Sequence, residues 1–412
     1  MKNAEQHETW KIPETNIGLI GHVDHGKTTL TLALTGKWTD THSEEIKRGI
    51  TIRLGYAETT FHKCPNCKEP QCYSSQPVCP ECGTKTKPLR TVSFIDAPGH
   101  ETLMTTVLSG SAIMDGALLL VSAHEPCPQP QTREHLKAME IVGIKNIIIV
   151  QNKIDIVSEQ EALENYKQIK NFVRGTIAEN APIIPVSAIH KINIDALIEA
   201  METHIKTPKR DSNKPPRMLI ARSFDVNKPG TPIEKIIGGI VGGSIIQGRL
   251  AVGDKIEIRP GVKIKEAYRP VFTKITGLQK AMINLKEAGP GGLLGISTEL
   301  DPYLTKSDAL SGNILGHTET LPPVMDEIRI EANLLERVVG SKEELKVEPI
   351  KINDVLLLTI GISRTVGVVF SVKKNETQVR LKIPVCVEKG SHMAIARQVL
   401  GRWRLIGWGQ IL

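Results

Sequence analysis

The stretch Gly21 to Thr29, GHVDHGKTT, fits the pattern G-x-x-x-x-G-K-[ST] and lies between an apolar run, Ile17 to Ile20, and the helix-like run TTLTLALTG. This is a loop that grips phosphate. Glycines at 21 and 26 let backbone N–H groups close around phosphate oxygens, and a helix N-terminus adds a favourable dipole. Lys27 then reaches the outer phosphates and the Thr28 hydroxyl can ligate Mg²⁺, with His25 and Thr29 completing the contacts. Asp24 is an acid inside the same loop. It either approaches a second metal ion shared with the Gly49 carbonyl or is hydrogen-bonded within its own loop.

The loop alone does not separate ATP from GTP, but NKID, Asn152 to Asp155, does. An Asp155 carboxylate can accept from both the N1 and N2 donors of guanine, a pair that adenine does not present, and Asn152 and Lys153 stand beside it. SAI, residues Ser187, Ala188 and Ile189, follows the next apolar run and offers a backbone N–H to the guanine O6. The order and spacing of these strings select GTP and GDP as ligands.

Two further strings resemble the switches of GTPases. DAPGH, Asp96 to His100, is similar to the second switch, which implies that Asp96 holds Mg²⁺ through water, Gly99 offers its N–H to the γ-phosphate, and His100 orients the attacking water. RGIT, Arg48 to Thr51, resembles the first switch, with the Thr51 hydroxyl as a second protein ligand on Mg²⁺. Such ligands order a loop only while the γ-phosphate is present.

Between those strings stands CPNCKEPQCYSSQPVCPEC, Cys64 to Cys82. Cys64 and Cys67 form one Cys-x-x-Cys pair, Cys79 and Cys82 another, and each pair turns two thiolates toward one ion. Four thiolates suit tetrahedral Zn²⁺ with no open position, hence a structural site. Disulfides do not fit a reducing compartment, and no thioredoxin-like setting supports a redox pair. Cys72, Cys127 and Cys386 are read as unliganded. Placed between the switches, the clasp is expected to stiffen an insertion beside mobile loops and to serve as a docking or restraining surface.

The elements that must position these residues show in the apolar runs NIGLI, TVSFI, GALLLVSA, NIIIVQ and APIIPVS, each followed by a turn and a helical pattern. That alternation predicts a parallel sheet with helices on both faces. At KTPKRDSNKPPRM the composition turns to proline and charge, a linker signature. Beyond it, glycine-punctuated β-branched segments predict two small antiparallel barrels. The expected domains are 1–207, with a zinc knuckle at about 61–85, then 208–322 and 323–412. The fold class is an α/β P-loop GTPase domain with an inserted zinc knuckle, followed by two antiparallel β-barrels. A net charge of +7 over 412 residues permits a polyanionic partner without demanding one. No run nears the roughly 18 apolar residues a membrane helix needs. A cytoplasmic protein is expected.

Taken together, GHVDHGKTTL, RGIT, DAPGH and QNKID followed by two barrels resemble the translational GTPases of the elongation-factor-Tu-like group. Within it, KRGITIRLGYAE, the cysteine pairs, PRMLIARSFDVNKPGT, GGIVGGSIIQG and RWRLIGWGQI resemble the gamma subunits of translation initiation factor 2, archaeal type. The resemblance covers nearly the whole chain. It implies GTP-dependent binding of methionylated initiator tRNA and its delivery to the small ribosomal subunit with mRNA. It also implies a heterotrimer, with an alpha subunit on the first barrel and a beta subunit on the nucleotide domain. Tyr56, Arg222 and Phe224 become candidates for contact with the tRNA acceptor end. Two other readings stay open. A selenocysteine-type elongation factor predicts no zinc insert and a further C-terminal domain; a GTP-sensing scaffold predicts negligible hydrolysis of its own.

Overall fold

The apolar runs form strands because both faces of each are covered: all seven residues of β1 (Thr15–Gly21) are buried. In the computed structural model, which describes residues 9–40, 45, 51, 53–100, 103–339, 345–374 and 376–412, the chain divides into two units that part between Pro208 and Lys209. In the first unit β1 is joined by β2 (Gly55–Lys63), β3 (Tyr73–Ser74), β4 (Lys87–Asp96), β5 (Gly116–Ser122), β6 (Ile147–Asn152) and β7 (Ile183–Pro185). Helices α1 (Lys27–Thr35), α2 (Met104–Ser111), α3 (Pro130–Val142), α4 (Glu159–Val173) and α5 (Ile194–His204) pack around them. Strand order is β3-β2-β4-β1-β5-β6-β7.

The sheet is mixed rather than wholly parallel. β2 runs antiparallel to β4, with Gly55 opposite Asp96 and Lys63 opposite Lys87. Its sequence, GYAETTFHK, half-buried and interrupted by polar residues, lacks the continuous apolar run that marks the parallel strands. Elsewhere the parallel register brings strand ends level. Leu19 pairs with Asp96, Gly21 with Leu120, and Ser122 with Asn152. The carboxyl ends of β1, β4, β5 and β6 therefore share one edge of the sheet, where doubly wound folds place their ligands.

Local chemistry sets the helix limits. α1 starts after Gly26, whose φ of +89° suits glycine, and no side chain caps its first N–H groups. It stops at Gly36 in the left-handed region. α4 opens with a capping box in which Ser158 and Glu161 serve each other's backbone N–H groups.

In the second unit β8 (Arg217–Phe224), β9 (Ile240–Gln247), β10 (Leu250–Ala251), β11 (Lys255–Ile264), β12 (Ala267–Lys280), β13 (Ile283–Leu285), β14 (Glu287–Ala288), β15 (Leu294–Thr298) and β16 (Ile314–His317) come first. β11-β16-β8-β9-β15-β12 closes into a ring because β11 also pairs with β12. Then β17 (Val324–Leu334), β18 (Val355–Ile360), β19 (Ser363–Lys373), β20 (Glu376–Cys386), β21 (His392–Val399) and β22 (Arg402–Ile411) form a second closed barrel of six strands. Each barrel fills its interior with its own aliphatic cluster, around Ile245 and Ile296 in one and Ile330 and Ile395 in the other. Trp403 is half-buried and Trp408 is 36% exposed, a rim rather than a core position. Among the described residues no helix is long and apolar enough to cross a membrane.

The cysteine insertion lies at the far end of the β2–β4 ribbon, beyond the Lys63–Lys87 pair, whereas Gly55 and Asp96 mark the end near the sheet's ligand edge. Eight residues of strand separate the two ends, about 27 Å. A strand on each side thus carries the clasp away from Thr51 and Asp96, which meet at Thr28; Arg48 to Ile50 of the first switch string lie outside the described residues. At the far end of the ribbon β3 packs against α5, and Tyr73 joins the core cluster of Leu197, Ile198 and Met201.

Next to that contact, the Arg90 guanidinium binds the end of α5, the residues just past it and the Thr15 hydroxyl. Nε donates to Glu202 at 2.7 Å, and the terminal nitrogens donate to the carbonyls of Met201 and Ile205 and to Thr207. Lysine cannot reproduce this fork. Arg90→Lys is expected to cost about 1–3 kcal/mol locally, read as a rise of roughly tenfold or more in amide exchange over the last turn of α5. Unchanged protection there would remove Arg90 as its cap. For the clasp, Cys64→Ser should abolish metal retention yet leave GDP affinity within about twofold, as expected for sites this far apart. A matching loss of nucleotide affinity would contradict the separation.

Candidate functional site

The loop from Gly21 to Gly26 folds back on itself around one lysine. Lys27 Nζ donates to the carbonyls of Gly21 at 3.1 Å and His22 at 2.7 Å. Its residue is only 6% exposed, and burial pushes the ammonium down to about 8 against the pull of Asp96, Asp24 and Asp40. Two glycines allow the close approach. A Cβ on Gly99 would meet Lys27 Nζ at 2.5 Å and the Val23 nitrogen at 2.8 Å, and one on Gly26 would meet Asn152 Nδ2 at 2.3 Å. Asp24 takes φ +60° in the same loop.

Asp24, Gly26, Lys27 and Gly99 line an open cleft of 590 Å³ that also takes in Thr28, Thr29, Thr51, His100 and Lys153. Of the groups singled out for a metal, Thr28 and Thr51 line it, and Asp96, fully buried, is joined to it through Thr28. Thr28 Oγ1 donates to Asp96 Oδ2 at 2.8 Å and lies 3.2 Å from Thr51 Oγ1. Burial pushes the Asp96 carboxyl up to about 6, against hydrogen bonds from Thr39 and Thr28. Asp96 Oδ1 and Asp40 Oδ1 are buried without a hydrogen-bond partner. Two hydroxyls and two carboxylates with unused oxygens are hard donors of the kind Mg²⁺ takes. The residues fit the ion. Gly49, with Arg48, lies outside the described residues.

The residues of the NKID and SAI strings are held in different ways. Asn152 turns inward: Nδ2 donates to the His25 carbonyl at 2.9 Å and Oδ1 accepts from the Ala188 N–H at 3.1 Å. It thereby ties the phosphate loop to the SAI loop. Asp155 has a side chain 14% exposed, 3.7 Å from His190, and the Ser187 hydroxyl holds its carboxyl below the usual range. Lys153 takes φ +65°, and Ile189 is 70% exposed. The His25 ring is fully buried, with Nδ1 at the Leu120 carbonyl and Nε2 3.4 Å from Glu125 Oε2, and burial drives it down to about 4.

Several residues of the site escaped the sequence reading. Thr39 donates to Asp96 at 2.7 Å and Asp40 lies beside Thr28, in a WTDTHSEE stretch that carries no fixed motif. His135, on α3, accepts the Gly21 N–H at 2.8 Å; its only signal was a polar residue on a helix face that has to be buried.

Away from the cleft, the four sulfurs of Cys64, Cys67, Cys79 and Cys82 lie within 4.8 Å of one another. The Cys64–Cys82 and Cys67–Cys79 separations, 3.5 and 3.7 Å, match the spacing of about 3.8 Å across a tetrahedral zinc site with 2.3 Å bonds. The group could hold zinc. All seven cysteines are free thiols, and Cys72 is buried beside the four. Of the residues tied to tRNA, Tyr56 opens β2 with its carbonyl accepting from Lys37. Arg222 is paired with Asp308 at 2.8 Å on β8, where Phe224 is 38% exposed.

Residues 13–207 match the Elongation factor Tu GTP binding domain, 238–316 match Elongation factor Tu domain 2, and 326–411 match Initiation factor eIF2 gamma, C terminal. The translation initiation factor 2 subunit gamma of Pyrococcus abyssi is 61% identical over 402 residues, 97% of each chain. That of Methanocaldococcus jannaschii is 58% identical over 405 residues, 97% of this chain and 98% of that one. Among solved structures, a bacterial selenocysteine-specific elongation factor, EF-Sec, gives a TM-score of 0.74 at 24% identity, covering 97% of this chain and 58% of that chain. This last likeness speaks for the fold alone. Identity near 60% sustained across both barrels as well as the nucleotide domain speaks for more, and the chain belongs to the family of translation initiation factor 2 gamma subunits, translational GTPases.

Proposed function

We propose that this chain binds methionylated initiator tRNA while GTP fills the cleft, brings it to the small ribosomal subunit with its mRNA, and releases it after hydrolysis. It does so as the GTPase subunit of a cytoplasmic heterotrimer, with an alpha subunit on the first barrel and a beta subunit on the nucleotide domain. The observation that carries the reading is that Thr28 joins the other two metal candidates: its hydroxyl lies 3.2 Å from that of Thr51 and donates to the Asp96 carboxylate at 2.8 Å. A residue of the first switch thus meets the phosphate loop at one point. Loss of the γ-phosphate therefore changes what holds that switch.

In this reading Lys27 leaves its two backbone carbonyls for the outer phosphates, joined by the open N–H groups of α1 and by Gly99. Thr28, Thr51 and Asp96, the last through water, would hold Mg²⁺, which supplies neutralisation of charge on the phosphate oxygens. Asp24 contributes within the loop. His100 orients a water whose oxygen attacks the γ-phosphorus as the bond to the bridging oxygen breaks. Asp155 accepts from guanine, and Ser187 to Ile189 line its far edge. Tyr56, Arg222 and Phe224 serve the acceptor end of the tRNA, Arg222 by exchanging its Asp308 partner. Zinc on Cys64, Cys67, Cys79 and Cys82 holds the knuckle in shape. The domains are read as 1–207, 208–322 and 323–412.

His100→Ala should lower ribosome-stimulated GTP hydrolysis by about 10²-fold or more while GTP affinity changes only a few fold, measured by single-turnover phosphate release. Parent-like turnover would remove His100 from the chemistry. With a non-hydrolysable GTP analogue and both partner subunits, the protein should retain methionylated initiator tRNA over elongator tRNAs. Its affinity should fall with rising salt, as phosphate contacts require. Retention of elongator tRNAs without preference would sink the carrier reading.

A further inference from the structure

The two peptides that meet at the Gly21 Cα are held from opposite sides. The carbonyl of one accepts from Lys27 Nζ at 3.1 Å, and the N–H of the other donates to His135 Nδ1 at 2.8 Å. Gly21 has φ +142°, and a Cβ there would meet the Leu120 carbonyl oxygen at 2.5 Å. Its backbone is pressed against β5, and the two hydrogen bonds fix the remaining torsional freedom. We propose that His135 is a positioning residue of the nucleotide site: by accepting the Gly21 N–H it sets the backbone on which the Lys27 ammonium docks and from which the phosphate loop departs. The inference rests on the reading of Gly21 to Thr29 as the phosphate cradle.

An imidazole that accepts through Nδ1 is neutral and carries its proton on Nε2. The surroundings of His135 enforce that state. The residue is 1% exposed, and burial, with Lys27, His22 and His25 nearby, holds its pKa down to about 3. His25 does the converse. Its Nδ1 faces the Leu120 carbonyl at 2.9 Å, an acceptor only, so there Nδ1 carries the proton. Leu120 is the register partner of Gly21. Two buried histidine rings thus clamp the paired ends of β1 and β5 through Nδ1, one accepting a hydrogen bond from the first strand and the other donating one to the second, while His25 Nε2 lies 3.4 Å from Glu125 Oε2.

Asparagine places an amide oxygen near the position of Nδ1, whereas glutamine reaches that of Nε2, so the two variants separate acceptor geometry from bulk. In the full chain, His135→Asn should keep the GDP dissociation rate within about twofold of the parent, and His135→Gln should raise it about tenfold, the cost of a buried N–H left without its acceptor. ¹⁵N spectra of histidine-labelled parent protein should show one buried ring with an unprotonated Nδ1 that stays so as the pH is lowered through 6. Equal dissociation rates for the two variants, or an Nδ1 of His135 that carries a proton, would overturn the assignment. The ring spectrum is read whether or not nucleotide binds, so a parent that retains no GDP overturns the cradle reading and leaves this one decided by its own signal.

Discussion

A carboxylate and an ammonium brought out of water at one edge of a sheet are what the first unit is built around. Asp96 is fully buried and Lys27 nearly so, and burial pushes both toward their neutral forms, to about 6 and about 8. Two charges in that state are costly unless further partners arrive. The stability that tolerates them is supplied underneath, by strands such as β1 and β5 whose every residue is buried. The phosphates of a nucleotide offer the Lys27 ammonium the opposite charge that it lacks. A ligand held by such a pair stabilises the fold by linkage as well as filling a site.

That constraint explains why the surrounding residues are small or inward-turned. Gly26 and Gly99 are glycines because Asn152 and Lys27 occupy the space a Cβ would need. Asn152, which its motif places among the guanine contacts, has its amide bridging the His25 carbonyl and the Ala188 N–H. The brace keeps the loop from Gly21 to Gly26 and the loop from Ser187 to Ile189 in one piece.

What was legible in the sequence were short strings at strand ends, where the chain must carry particular residues at particular spacings: GHVDHGKTT, DAPGH and NKID. Their apolar strands were legible too, since continuous β-branched runs belong to covered parallel sheets. β2 was not, because its pairing with β4 rather than any apolar run makes it a strand. His135 was not, because no local pattern shows that a helix residue will meet the N–H of a glycine more than a hundred positions earlier. Thr39 and Asp40 are similar cases, made part of the site by the return of the chain. The barrels were legible as a class through their glycines and turns, while the ring closure of β11 on β12 is a tertiary fact.

The cysteine clasp shows the same distinction at larger scale. Sequence adjacency to both switch strings suggests an intimate neighbour, yet one antiparallel ribbon carries it about 27 Å away. Its pairs run from Gly55–Asp96 to Lys63–Lys87, with a register shift between Phe61 and His62. One end finishes in the carboxylate that the cleft depends on. The other is pinned, through Tyr73 in the α5 core and through Arg90 on the last turn of that helix. A knuckle that keeps its shape there fixes the far end of the ribbon without touching the nucleotide. The clasp is thus placed at the outer edge of the sheet, a strand's length from Asp96.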